Sequence, residues 1–307
     1  MPTVTHWDGV EWTVRTVGEI GGRSQNLGTA AGSVRTGLRR VQVAPGMRST
    51  PPHEHGSEEE IFFVMSGSGV LWLDGATCTI AAGDCIGHPA REGAHTLRAG
   101  PEGLDVLAFG TREYVETCYH PHSNRIWLGG STLPLPAYQD LWTWDAEAGP
   151  LEFAPPGERP SCVANVEHVV PYVGGEGDCM VSDRSLGDAI GSVRTGISHV
   201  RVEDGILAYP PHCHSAEEEL FVVLKGEGMC ELGDDRLPLL PGSVVARPAG
   251  TGVPHALRGG VGGMEYLAYG TRDPNDIAFF PRSNKIYLRG VKVIARVEKL
   301  EYWDGER

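Results

Sequence analysis

Cationic side chains are in short supply. Lys and Arg number 26 against 40 Asp and Glu, a formal net charge of -14 in 307 residues, so a phosphate backbone or an anionic lipid surface finds little to bind. No apolar run approaches the roughly 18 residues of a membrane helix. The opening Met1-Pro2-Thr3 leads into a polar stretch with neither the basic nor the apolar region of a signal peptide. These absences predict a cytoplasmic protein whose partners include neither nucleic acid nor membrane. The seven cysteines form no Cys-x-x-Cys pair and are odd in number, which argues for reduced, packing thiols over a disulfide framework. Also missing are a Gly-x-Ser-x-Gly elbow, a Gly-rich loop leading a strand into a helix, and any long 3.6-residue apolar period. Serine hydrolysis, nucleotide binding and a helical architecture are thereby set aside.

What is present is a duplication. Gly32-Ser33-Val34-Arg35-Thr36-Gly37 recurs letter for letter as Gly191-Ser192-Val193-Arg194-Thr195-Gly196, an offset of 159. The same offset carries Pro51-Pro52-His53 onto Pro210-Pro211-His212 and Pro89 onto Pro248. One inserted residue later, His95 maps to His255 and Gly110-Thr111-Arg112 to Gly270-Thr271-Arg272. Trp144-Asp145-Ala146-Glu147 and Trp303-Asp304-Gly305-Glu306 close the copies alike, and the Pro-rich Ala154–Pro160 reads as the linker. Two units follow, residues 1–150 and 151–307, each a barrel with an extension. Trp142, Trp144, Tyr302 and Trp303 are expected to tie those extensions down.

Within each copy, apolar runs of about four to six residues alternate with Gly, Pro or Asp, the pattern of many short strands. Ile61–Met65 stops at Ser66-Gly67-Ser68-Gly69, and Val70–Leu73 stops at the hairpin signal Asp74-Gly75. Leu220–Leu224 and Met229–Leu232 repeat the theme. The expected fold class is all-β, two tandem jelly-roll barrels.

Six of the twelve histidines fall at corresponding positions: His53, His55 and His95 with His212, His214 and His255. On a strand, His53 and His55 share a face, as do His212 and His214, which makes a chelating pair of each. Glu60 and Glu219 follow at equal spacing and open the next apolar strand, where a charge needs compensation. Their neighbours Glu59 and Glu218 are competing ligand candidates, and Glu58 and Glu217 crowd the same loops.

These residues resemble the cupin superfamily, whose motifs read G(x)5HxH(x)3-4E(x)6G and G(x)5PxG(x)2H(x)3N. His53-Glu54-His55, Glu60 and Gly67 fit the first motif, as do His212-Cys213-His214, Glu219 and Gly226; Gly46 and Gly205 lie one residue too early. In the second motif Gly83 and Pro89, and Gly242 and Pro248, keep their spacing. Arg91 stands where the first copy's glycine belongs, and Ala99 and Gly259 replace the asparagine. The resemblance implies a two-domain bicupin with one divalent cation per barrel, held by His53, His55, Glu60 and His95 and by His212, His214, Glu219 and His255.

Such a donor set suits Fe(II), Mn(II), Ni(II) or Zn(II) and leaves coordination positions open for a small-molecule substrate. With Fe(II) taken as the ion, the leading expectation is a dioxygenase-like oxidoreductase acting on a small enol, phenol or dicarbonyl compound. The alternatives are a non-redox decarboxylase or isomerase of a small acid or sugar, resembling oxalate decarboxylases and sugar isomerases, and a binding or storage bicupin. No catalytic acid or base is singled out. The barrels are expected to pair within the chain, with homo-oligomers also compatible. Arg112 and Arg272 read as structural more than anion-clamping, and Asn124 and Asn284 as turn residues. His88 against Arg247, and Arg40 against His199, exchange residue types between copies; His6, His120, His122 and His168 read as surface residues.

Overall fold

A computed structural model describes residues 4–129 and 140–306, and within them strands dominate, with only short helices such as Leu27–Ala31, Leu141–Glu147 and Leu186–Ala189. Each copy builds one large and one small antiparallel sheet. In the first, the large sheet runs Val163–Asn165, Asp84–His88, Glu60–Leu73, His95–Thr111, Thr36–Val43, Ile20–Asn26, Thr13–Val17, with Ala76–Ala81 paired to Glu60–Leu73. Arg125–Gly129, Glu116–His120 and Glu54–His55 form its small sheet. The second copy repeats the order with Val4–His6, Ser243–Arg247, Glu219–Leu232, His255–Thr271, Thr195–Val202, Cys179–Ser185 and Tyr172–Glu176.

The duplication is closed by an exchange. Val4–His6 pairs with Ser243–Arg247 of the second barrel, and Val163–Asn165 with Asp84–His88 of the first. Each large sheet is therefore capped at one edge by a strand from the other half of the chain, which removes a free edge.

Strand alternation feeds two cores at once. Along Glu60–Leu73, Phe62 and Val64 enter the first barrel's own core, while Ile61 and Phe63 join a second cluster. That cluster is shared: Leu220 and Val222 of the other barrel belong to it, while Phe221 and Val223 point into their own interior. Phe109 and Tyr269 meet there with ring centroids 5.0 Å apart. A strand buried on both faces must be apolar at every position, which explains the unbroken runs Ile-Phe-Phe-Val and Leu-Phe-Val-Val.

Three readings of the sequence change. Ile61–Met65 and Val70–Leu73 are parts of one strand, bent by register shifts between Val64 and Ser66 and between Gly67 and Gly69. Gly67 has φ 84°, and a Cβ there would lie 2.1 Å from the Gly103 carbonyl oxygen, so the glycine permits the bend and does not end the strand. The segment Ala154–Pro160 lies against the first barrel: Thr77 Oγ1 donates to Ala154 O and the Gly157 N–H to Thr77 O, both at 2.8 Å, and Arg159 pairs with buried Asp84. Tyr302 and Trp303 are exposed and anchor nothing. In the first copy Trp142 and Trp144 do meet the barrel, under Arg15 and Arg125, and fully buried Asp145 adds to the docking, accepting from Arg48 at 2.6 Å and facing His122 Nδ1 at 2.9 Å.

Candidate metal centres

The backbone ladder brings the histidines together. The N–H of His53 donates to His95 O at 3.2 Å and the N–H of His95 to His53 O at 3.0 Å, so an early loop and a strand some 40 residues later are locked in register. His212 and His255 repeat this at 3.1 and 2.8 Å. Arg91, in the position of the missing motif glycine, adopts φ 65° and donates its N–H to His55 O at 2.9 Å; Gly250, with φ 72°, makes the same contact with His214 O at 2.8 Å. The turn is kept in both copies despite the arginine.

In the first barrel, one donor atom from each of His53, His55, Glu60 and His95 lies within 4.8 Å of every other. Glu60 Oε2 is 3.0 Å from His95 Nε2, 3.6 Å from His55 Nε2 and 3.7 Å from His53 Nε2. In the second barrel His212, Glu219 and His255 form such a group, while His214 falls in an adjoining one with Glu217 and Asp276. Its Nε2 still lies 3.4 Å from Glu219 Oε2. Glu59 and Glu218, the competing candidates, point elsewhere: both are buried and bound by the opposite barrel.

The outward ring nitrogens are already engaged. His53 and His212 place Nδ1 at 2.9 and 2.8 Å from the carbonyls of Pro51 and Pro210, which leaves Nε2 as the lone-pair nitrogen. His55 Nδ1 faces Glu116 at 3.3 Å, and His214 Nδ1 faces Asp276 at 2.6 Å. Glu116 and Asp276 are positioning carboxylates that the sequence reading missed. An acid recurring at the same place in both copies was the available signal.

Burial alone would raise the Glu60 carboxyl, but the crowding imidazoles of His53, His55 and His95 hold it well below the usual range. Burial opposes Glu219 as well, and the charges of His255, His214 and His212 outweigh it. Burial also works against the charged forms of His55 and His214, yet Glu60 with Glu116, and Asp276 with Glu219, raise them to about 9. His95 and His212 go the other way, lowered by burial to about 4.

The donor chemistry fits a divalent cation. His55 Nε2, His214 Nε2, His255 Nε2 and Glu219 Oε2 are buried without a hydrogen-bond partner, although His255 and Glu219 approach to 2.8 Å. Lone-pair atoms that crowd together without hydrogen-bond geometry converge as ligands of one ion do. Each cluster lies in the wall of a cavity, of about 480 Å³ in the first barrel and about 310 Å³ in the second.

Other predicted residues fall into place. Arg112 and Arg272 line the cavities but bind Ser33 O and Ser192 O, each at 3.0 Å, so they brace loops. Asn124 and Asn284 take the left-handed conformation of turn residues. His120 and His122 are not surface residues: His120 is buried and stacks on His53 at 5.8 Å, and His122 serves the Asp145 cluster. His88 stacks on His95 at 3.6 Å and lies opposite Glu60, where Arg247 lies opposite Glu219.

Comparison with known families agrees with this geometry: the cupin domain matches twice, at residues 39–108 and 198–263, one match on each barrel. The chain is a two-domain cupin. No curated protein sequence matches this bicupin. Among solved structures, Bacillus subtilis oxalate decarboxylase, studied for its Mn(II) centres, superposes with a TM-score of 0.58 at 14% identity, over 87% of this cupin and 76% of that chain. A formate complex of Lactobacillus farciminis oxalate decarboxylase gives 0.59 at 14% identity, over 89% and 87%. At such identity the likeness is one of fold. Among the described residues no helix is long and apolar enough to cross a membrane.

Proposed function

We propose that each half of the chain, residues 1–150 and 151–307, holds one divalent cation, and that the protein is a metal-dependent decarboxylase of a small carboxylic acid. The ligands are His53, His55, Glu60 and His95 in one barrel and His212, His214, Glu219 and His255 in the other. The observation that carries the reading is the convergence of buried, unpartnered imidazole and carboxylate atoms on the wall of a cavity. Mn(II) is the ion we assign, supported by the fold shared with a decarboxylase studied as a Mn(II) enzyme. Nothing in three imidazoles and a carboxylate selects Fe(II) over Mn(II), so the donor set gives the oxygenase expectation no specific support. When bound, such an ion supplies Lewis-acid polarisation of a substrate carboxylate.

The chain's own groups supply the proton. Loss of CO2 leaves an electron pair on carbon that must be protonated, and Glu58 and Glu217 occupy equivalent positions in the linings of the two cavities. Each also lies beside a proposed ligand: Glu58 Oε2 is 4.0 Å from His55 Nδ1, and Glu217 Oε2 is 3.9 Å from His214 Nδ1. Arg289 pairs with Glu217 and holds its carboxyl in place. The test is to load the protein with Mn(II), supply small carboxylic acids beginning with oxalate, and follow CO2 and dissolved oxygen together. CO2 release without net oxygen consumption, reduced in Glu58→Gln or Glu217→Gln, is expected. Turnover with stoichiometric oxygen uptake overturns the reading.

A further inference from the structure

The two cavities are not copies of each other. Asp183 and Tyr209 line the second cavity together with His212, His214, Glu219 and His255, and their equivalents in the first copy are Ser24 and Thr50. The Tyr209 hydroxyl donates to Asp183 Oδ2 at 2.5 Å, whereas Asp183 Oδ1 is buried with no hydrogen-bond partner. A carboxylate oxygen withdrawn from water without a donor is costly, and a bound group that donates to it removes that cost.

Strand register places this oxygen on the same face as the metal ligands but away from them. Asp183 pairs with Val200, Val200 with Tyr266, and Glu219 with Gly270. Directly paired residues share a face, and Tyr266 and Gly270 are four residues apart on one strand, so all of these lie on the inner face. Four residues span about 13 Å along a strand. A ligand that reaches both the His/Glu cluster and Asp183 therefore needs two polar ends held apart by a spacer. The intervening wall is aromatic, with Phe221, Tyr266 and Phe280 lining the cavity. Aromatic faces favour a flat ring over a flexible polar chain.

We propose that the second cavity takes a ring carboxylate whose far end carries a hydrogen-bond donor, received by Asp183 Oδ1, while its carboxylate meets the metal centre. This rests on the proposed function for the metal end only. A two-carbon acid cannot touch both ends, so the pair Asp183 and Tyr209 acts as a specificity determinant. The first cavity, with Ser24 and Thr50 in their place, carries no such requirement.

Calorimetric titration of the Mn(II)-loaded full chain with benzoate, 4-hydroxybenzoate and 4-(aminomethyl)benzoate tests it. A donor-bearing probe should bind about tenfold more tightly than benzoate, the value of one hydrogen bond to a charged acceptor. The tighter of the two assigns the donor as hydroxyl or ammonium. In Asp183→Ala the preference should fall to near one with benzoate affinity unchanged, and Asp183→Asn, which keeps the shape, should reduce it without disturbing the fold. Equal affinity of all three probes in the wild type, or a preference that survives both substitutions, overturns the subsite. Benzoate binding that is indifferent to removal of Mn(II) instead counts against the proposed metal end, so the two failures are distinguishable.

Discussion

Glu59 and Glu218 occupy equivalent positions, and each carboxylate is bound by the other barrel. Glu59 accepts from the N–H groups of Val193, Arg194 and Thr195 at 3.0, 3.0 and 3.1 Å, and from the hydroxyls of Ser192 and Thr195. Glu218 accepts from the N–H groups of Val34 and Arg35, both at 2.8 Å, and from Thr36 Oγ1 at 2.9 Å. The donors are the two Gly-Ser-Val-Arg-Thr-Gly segments. Their identity is thus explained by a shared task, to surround a buried carboxylate with oriented donors about a pseudo-two-fold axis.

Replacing either carboxylate by an amide leaves the donors that face the lost oxygen without an acceptor. Glu59→Gln and Glu218→Gln are each expected to lower stability by about 3 kcal/mol, from the worth of hydrogen bonds to a charged group. Urea unfolding monitored by fluorescence measures this. A loss below about 0.5 kcal/mol for both would show that the inter-barrel contact rests on the apolar cluster alone.

The metal-free protein should be most stable near the ordinary histidine pKa of about 6.5. His55 and His214 stand at about 9 when folded, so their contribution is complete below about 6.5 and is lost as pH rises through 9. Glu217, which burial and the charge of Glu219 raise to about 8, is destabilising once ionised and acts in the same direction. His95 and His212, held neutral with values near 4, make the folded state less favourable as pH falls from 6.5 towards 4. Thermal melts of chelator-treated protein from pH 5 to 10 should trace this maximum. Cation binding displaces the protons of His55 and His214, so added Mn(II) should move the maximum to higher pH. A melting temperature that climbs steadily to pH 9 without metal would contradict the assignment.

The centres should differ in affinity. Arg247 is buried opposite Glu219 and repels a cation bound beside it, whereas His88, kept neutral by burial and its neighbour His95, lies opposite Glu60. Arg247→His is expected to tighten the second site, and His88→Arg to weaken the first, each by about tenfold for one buried like charge. Competition with a fluorescent chelator measures both. Unchanged constants would place these side chains outside the field of the ions.

Much of this was legible in the sequence, for physical reasons that differ from residue to residue. The His and Glu positions could be read because strand alternation and a repeated spacing fix which side chains share a face. The Gly-Ser-Val-Arg-Thr-Gly repeat revealed the duplication but not its task, since its partners Glu59 and Glu218 act across barrels and only the docked structure brings them together. Gly67 reads as a strand end in one dimension because its role, clearance for the Gly103 carbonyl, depends on a neighbouring strand. His120 and His122 looked peripheral because their surroundings are created by distant segments. Asp183 had no repeated counterpart to mark it.

The central claim is one His3Glu centre in each barrel, and metal counting tests it most directly. Protein reconstituted with Mn(II), desalted and analysed by inductively coupled plasma mass spectrometry should carry about two ions per chain, falling to about one in His55→Ala, one in His214→Ala and none in the double variant. Wild-type protein that retains no ion, or two ions that persist in the double variant, would contradict the account.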